Sequence, residues 1–212
     1  AICIILLIPA CSLDRYPNNA FTDEDLEKDP EMAFQYLING CYSQLKAWAD
    51  EMHRIGEYPG DNVAIRGSSS DDFFPFISYK HVKLNGRLYV YWVNSYKAII
   101  QINDVIALKE EGSGDAIDYN LGEAYYLRGM LYFYMTRVFG RPYYQDPDKN
   151  LGVPITLNGS SKNMSDIYAP NRSTVKECYD QAIKDLEKAE ELMPKAKSVD
   201  KSSVSKLNSG FG

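Results

Sequence analysis

The residues best suited to chemistry cluster between positions 54 and 94. There Tyr58, Asp61, Asn62, Arg66, Asp72, Trp92 and Asn94 interleave aromatic rings with carboxylate, amide and guanidinium groups. Such a mixture suits non-covalent recognition of a polyhydroxylated molecule. A ring offers its apolar face to C–H groups, while Asp, Asn and Arg supply directed hydrogen bonds. Asp61, Asn62, Arg66 and Trp92 are the candidate ligand contacts, although Trp92 also falls on an apolar helical stripe, whose simpler reading is packing. Catalysis finds less support. Asp71 and Asp72 could be imagined as a glycosidase pair, but adjacent side chains diverge, and hydrolysis needs two carboxyl groups at a set separation across a sugar. The chain has no Gly-rich phosphate loop, no HExxH and no GxSxG, so no catalytic residue is assigned. It has no CxxC, and its two histidines, His53 and His81, stand apart; neither a metal site nor a cofactor is expected.

Helices must position these groups. The stretch around Gly122–Tyr144 is the most informative. Ile117, Leu121, Ala124, Leu131, Met135 and Val138 form one stripe at helical spacing, and Tyr125, Tyr126, Tyr132, Phe133 and Tyr134 cover the other faces. A helix apolar almost all round belongs inside an assembly of helices. Arg128 interrupts its stripe. A guanidinium there must meet a carboxylate or several carbonyls, so Arg128 is read as structural, with Glu123 and Asp104 as candidate partners.

Other helices announce themselves by their ends. Asp29-Pro30-Glu31 combines an N-cap, a first-turn proline and an acid, starting a helix expected to reach about Trp48 with Phe34, Leu37, Ile38, Cys41 and Leu45 on one face. A second helix is expected from about Leu88 to Glu111, with Trp92, Ser95, Ile99, Ile102 and Ile106 together. Gly112-Ser113-Gly114 ends it, and Asp115 can cap the next, making an αα-hairpin. Thr174-Val175-Lys176-Glu177 is a capping box. It opens a helix expected to bury Val175, Cys178, Ala182, Ile183, Leu186, Ala189 and Met193. Residues 54–87 carry turn residues mixed with aromatics, a loop long enough to suggest function. Ser160–Asn171 reads as polar linker.

The first residues describe an address. Ile2–Ala10 is a short apolar run, far below the roughly 20 residues that span a bilayer, and it closes on Ile8-Pro9-Ala10-Cys11, which resembles a lipobox. Residues 1–10 are therefore expected to be part of a signal peptide, with Cys11 left to carry lipid. Only Cys41 and Cys178 then remain; they could pair in an oxidising compartment, but two small buried thiols are the simpler expectation. The formal net charge of −6 argues against nucleic acid as a main partner, because phosphate binding wants a basic face.

Several segments together resemble the SusD/RagB family of outer-membrane glycan-binding lipoproteins. Asn39-Gly40-Cys41-Tyr42-Ser43-Gln44-Leu45 is similar to the family's first helix. Trp92, Tyr96, Ile99 and Asn103 match its "WxxxYxxIxxxN" helix, and Gly152-Val153-Pro154-Ile155 its "GVPI" loop. The stretch Gly122–Tyr144 resembles its long inner helix, and Cys11–Pro17 the opening of its mature chains. The ending Asp185–Pro194 looks like that of a tetratricopeptide repeat, although no strict repeat period can be laid over the chain. The resemblance implies an all-α fold of tetratricopeptide-like helical hairpins with a long irregular loop. Its expected parts are a lipid-anchored leader at 11–28, a helical domain at 29–194, and a polar tail at 195–212 where such chains normally continue. It also implies surface capture of an oligosaccharide or polysaccharide and delivery to a SusC-like TonB-dependent transporter. The alternatives are a docking module on that transporter without sugar contact, and a glycan-processing hydrolase. An outlying tyrosine count, 17 against 8 phenylalanines, fits a sugar-facing protein.

Overall fold

The structure, a computed structural model, describes residues 27–61, 72–80, 85–160 and 170–193. Among these residues the elements are helix α1 (Pro30–Glu57), a short α2 (Phe74–Ile77), α3 (Gly86–Leu108), α4 (Asp115–Phe139), strands β1 (Leu151–Pro154) and β2 (Arg172–Thr174), and α5 (Val175–Leu192). The fold is all-α apart from that two-stranded ribbon. Cys11, Asn62, Arg66, Asp71, the leader as far as residue 26 and the tail lie outside the described residues.

Local signals set the helix starts. Asp29 caps α1, its Oδ1 accepting from the Met32 N–H at 3.0 Å ahead of Pro30. Asn85 caps α3 by accepting from the N–H groups of both Arg87 and Leu88 at 3.0 Å. At α5 the capping box closes in both directions between Thr174 and Glu177. Two boundaries differ from expectation. Helix α1 runs to Glu57 rather than ending near Trp48, because Trp48, Glu51 and Ile55 extend its buried stripe by two more turns. Helix α4 is not capped by Asp115, which is its first helical residue. Gly114 takes the cap position at φ 140°, and Asp118 reaches back to accept from the Gly112 N–H at 2.9 Å.

Helix α4 is the hub, packed against α1, α3, α5 and β1. One core unites Phe34, Ile38, Cys41 and Leu45 of α1, Tyr91, Ile99 and Ile102 of α3, Leu121, Leu131, Tyr132 and Met135 of α4, and Cys178 and Ala182 of α5. The hub is not wholly internal. Tyr119, Tyr126 and Phe133 form an exposed strip along it, the side left open by its three partner helices. Its closest contact is with α5, and small residues make that possible. A Cβ on Gly129 would lie 2.9 Å from the Ala182 carbonyl oxygen, and one on Gly122 would lie 2.7 Å from the Met193 Cγ.

The ribbon was not expected, because strands of three and four residues carry no alternation to read. Here β1 pairs antiparallel with β2, Leu151 opposite Thr174 and Pro154 opposite Arg172. Val153 enters the core, and the Cys178 thiol donates to its carbonyl at 3.3 Å. Arg172 ties the ribbon to α4 by donating to the carbonyls of Gly152 (2.7 Å), Leu151 (2.9 Å) and Phe139 (3.1 Å). Cys41 and Cys178 are both free and buried. Burial pushes the Cys41 thiol up to about 11.

Candidate functional site

Arg128 holds the hub to its neighbours. It is 5% exposed, and its Nε and Nη2 donate to the two carboxylate oxygens of Asp185 at 2.8 and 2.7 Å, a bidentate fork. Its Nη1 donates to Asn103 Oδ1 at 2.8 Å, and Asn103 passes its own N–H groups to the carbonyls of Thr156 and Asn158. The partners are thus Asp185 and Asn103, not Glu123 or Asp104. Glu123 instead accepts from the Tyr42 hydroxyl at 3.2 Å, and Asp104 is taken by the Ser160 N–H and hydroxyl, each at 2.6 Å. Together these bonds tie α4 to α3, to α5 and to the segment after β1.

A cavity of about 500 Å³ lies at the other end of the hub. Its walls come from the last turns of α1 (Met52, Ile55, Gly56), the following turn (Pro59), α2 (Phe76), the first turn of α3 (Leu88) and the end of α4 (Tyr134, Arg137, Val138). The overrun of α1 past Trp48 makes it possible, since without those turns there would be no first wall. Gly56 leaves room, because a Cβ there would meet nothing within 4 Å. The short helix α2 forms the next side. It is fixed by a Tyr79 hydroxyl donating to the Pro59 carbonyl, an Asn85 amide donating to the Asp72 carbonyl at 2.7 Å, and the edge-to-face pair of Tyr58 and Phe73 at 4.6 Å. Phe73 in turn carries the guanidinium of Arg87 at 4.7 Å and that of Arg54 at 5.7 Å. Arg87 pairs with the nearly buried Glu51 at 2.9 Å, and Arg54 with Asp50 at 3.0 Å.

Arg137 is the charged residue in the cavity wall. The Arg137 guanidinium sits against the rings of Phe133 (5.6 Å) and Tyr134 (5.9 Å) and has no carboxylate partner among the described residues. Behind Tyr134 lies Trp48, edge-on at 5.8 Å, and Trp48 stacks on Tyr91 at 6.0 Å. The Trp48 indole N–H and the Tyr91 hydroxyl are buried and face each other outside hydrogen-bond geometry. Burial pushes the Tyr91 hydroxyl well up, so it stays a neutral donor. Arg87 Nε and Glu51 Oε2 are likewise without a partner.

Of the sequence-predicted contacts, Asp61 and Trp92 fall among the described residues, and neither lines this cavity. Asp61 is exposed, two residues beyond Pro59. Trp92 is half-buried one turn beyond Leu88, edge-on to Phe139 at 4.9 Å and tilted against Tyr96 at 5.0 Å. Asp72 is exposed. Three cavity residues from α4, Tyr134, Arg137 and Val138, were missed, since periodicity assigned that helix to the core. The one usable signal was Arg137, a charge in a stretch otherwise almost without them. Among the described residues no cluster of three or more His, Cys, Asp or Glu groups could hold a metal ion, and no helix is long and apolar enough to cross a membrane.

Helical hairpins packed on a central helix, with the "GVPI" segment paired to a β-strand beneath it, define the class, and comparison with known proteins agrees. A SusD-like family model, described as starch-binding and associating with the outer membrane, matches residues 13–208, and the chain belongs to this family. A SusD-like protein of Formosa agariphila is 28% identical over 178 residues, covering 84% of this chain and 33% of that protein. The solved SusD superfamily protein of Bacteroides thetaiotaomicron superposes with a TM-score of 0.64 at 25% identity, over 76% of this chain and 37% of that one. A SusD-like carbohydrate binding protein of Bacteroides vulgatus gives 0.63 at 24% identity, over 80% and 37%. The chain therefore spans about a third of the length of these relatives.

Proposed function

We propose that this chain belongs to a surface lipoprotein that captures an oligosaccharide and passes it to a SusC-like TonB-dependent transporter of the outer membrane. It acts by binding, without chemistry of its own, and Cys11 carries the lipid that holds it at the outer membrane. The observation that carries this reading is the cavity at the α1–α2–α3–α4 junction. It combines aliphatic and aromatic walls with the side chains of Arg137 and Tyr134, the pattern of a small-ligand site. It lies beside the 54–94 region, whose Asp61, Asn62, Arg66 and Trp92 are taken as further contacts. The family's description as starch-binding supports the same reading.

The test is calorimetry or affinity electrophoresis of the full-length protein against a glycan panel. Parent protein should bind at least one glycan, and Asp61→Ala or Arg66→Ala should weaken that binding without moving the melt. Release of reducing sugar would instead indicate a hydrolase. A second reading, a docking module on the transporter, is favoured by the exposed Tyr119, Tyr126 and Phe133 strip on α4. Copurification with the transporter combined with silence across the whole panel would support that alternative.

A further inference from the structure

The cavity also carries a preference for charge. We propose that it takes a sugar bearing a carboxylate, a uronic acid unit, and that Arg137 is the residue that reads it. This rests on the glycan-capture reading and names the class of glycan.

The arginines on the helices divide into two kinds. Arg54, Arg87 and Arg128 each hold a carboxylate at 3.0 Å or closer. Arg137 holds none among the described residues, although it is the one that lines the cavity. The rings of Phe133 and Tyr134 fix its guanidinium through its face, an attraction that leaves the N–H fork unspent. A planar fork with five donors matches a carboxylate in two parallel hydrogen bonds.

The rest of the site has the same bias. No carboxylate stands among the described residues that line it, so the wall offers Arg137 no competing anion. A neutral sugar presents hydroxyls that donate as well as accept and so needs acceptors from the protein. A carboxylate only accepts. Met52, Ile55, Phe76, Leu88 and Val138 then meet the C–H face of the ring that carries it.

The decisive experiment compares an oligogalacturonide with its methyl ester, which keeps the ring and removes the charge, alongside an oligoglucuronate, maltoheptaose and a sulfated neutral oligosaccharide. Calorimetry is run on the full-length parent, Arg137→Gln and Arg137→Lys. The free acids should bind and the methyl ester should bind at least tenfold more weakly. Arg137→Gln should lose about the same tenfold for the acids, with Arg137→Lys between the two. Both melts should stay within about 2 °C of the parent, because the side chain is exposed. Equal binding of acid and ester, or of parent and Arg137→Gln, overturns the assignment. So does binding confined to maltoheptaose or to the sulfated sugar, which would leave glycan capture standing. If no sugar binds at all, the assignment and glycan capture fall together.

Discussion

Arg128→Ala is the perturbation whose cost the structure sets most directly. It removes three hydrogen bonds of 2.7–2.8 Å and leaves the Asp185 carboxylate 2% exposed with only the Gln181 amide, at 2.9 Å, still donating to it. Breaking a buried ion pair from one side costs about 3–5 kcal/mol, because the abandoned charge stays desolvated. A domain of this kind is stable by only about 5–15 kcal/mol in all. At about 2–4 °C per kcal/mol for its size, the melt should fall by roughly 6–20 °C. Cavity formation alone could also lower the melt, so the assay needs a cycle. Arg128→Met, Asp185→Leu and the double variant are each unfolded in urea with circular dichroism as the probe. Replacing both partners by apolar groups removes the stranded charge, so the double variant should be more stable than either single one, with a coupling of about 2 kcal/mol or more. Asn103 limits the recovery, since its Oδ1 loses a donor while its amide keeps Thr156 and Asn158. Additive single effects, or a melt for Arg128→Ala within about 2 °C of the parent, would refute the claim that this pair is buried and coupled.

Other expectations test separate links. Gly129→Ala should destabilise by about 1–3 kcal/mol despite the better helix propensity of alanine, because its Cβ would press on the Ala182 carbonyl at 2.9 Å; an unchanged or raised urea midpoint would show that α4 and α5 can part without cost. Glu123 has its carboxyl raised above the ordinary value of 4.5 by burial, with the Tyr42 hydroxyl opposing. The folded state therefore holds that proton more tightly than the unfolded one, and stability from this group is lost as pH rises through and above that value. Glu123→Gln should accordingly gain on the parent between pH 4 and pH 7, and a gain that is the same at both would contradict the assignment. Cys11→Ala should abolish acylation and release the protein from the outer-membrane fraction; mass spectrometry and fractionation decide it, and unchanged membrane retention would remove the lipobox from the account.

The helices were legible because their signals are local. The Asp29-Pro30 start and the Thr174–Glu177 box act within one turn and appear as read, whereas at the Gly112–Gly114 break the helix before ends at Leu108, short of the expected Glu111, and Gly114 rather than Asp115 takes the cap. What failed to show was a charge inside a stripe. On α5 the buried positions are Val175, Cys178, Ala182, Asp185 and Ala189, a regular spacing of three and four. Hydropathy passes over Asp185 and admits Ile183, which is 52% exposed. A buried carboxylate lowers the apolar score of the very face it belongs to, so it surfaces only when a buried arginine elsewhere is asked for its partner. Arg128 posed that question, and the answer lay on a helix 57 residues further along the chain.

The cavity was illegible for a different reason: its walls come from four helices and a turn, and no segment carries more than three of its residues. Arg137 was visible as a charge in the last turn of α4, but a cation there has an ordinary use, offsetting the negative end of the helix dipole. The two roles make different predictions. A dipole partner contributes about 0.3–1 kcal/mol to stability and nothing to ligand choice, and lysine serves as well as arginine. A reader of carboxylates contributes to ligand choice through its fork, and lysine, a point charge with no fork, replaces it only in part. The comparison of Arg137→Lys with Arg137→Gln therefore separates them without any new structure. If the acid-over-ester preference is lost in Arg137→Gln and kept only in part in Arg137→Lys while both melts hold, the charge at the end of α4 belongs to the ligand; if there is no preference to lose and the glutamine melt alone drops, it belongs to the helix.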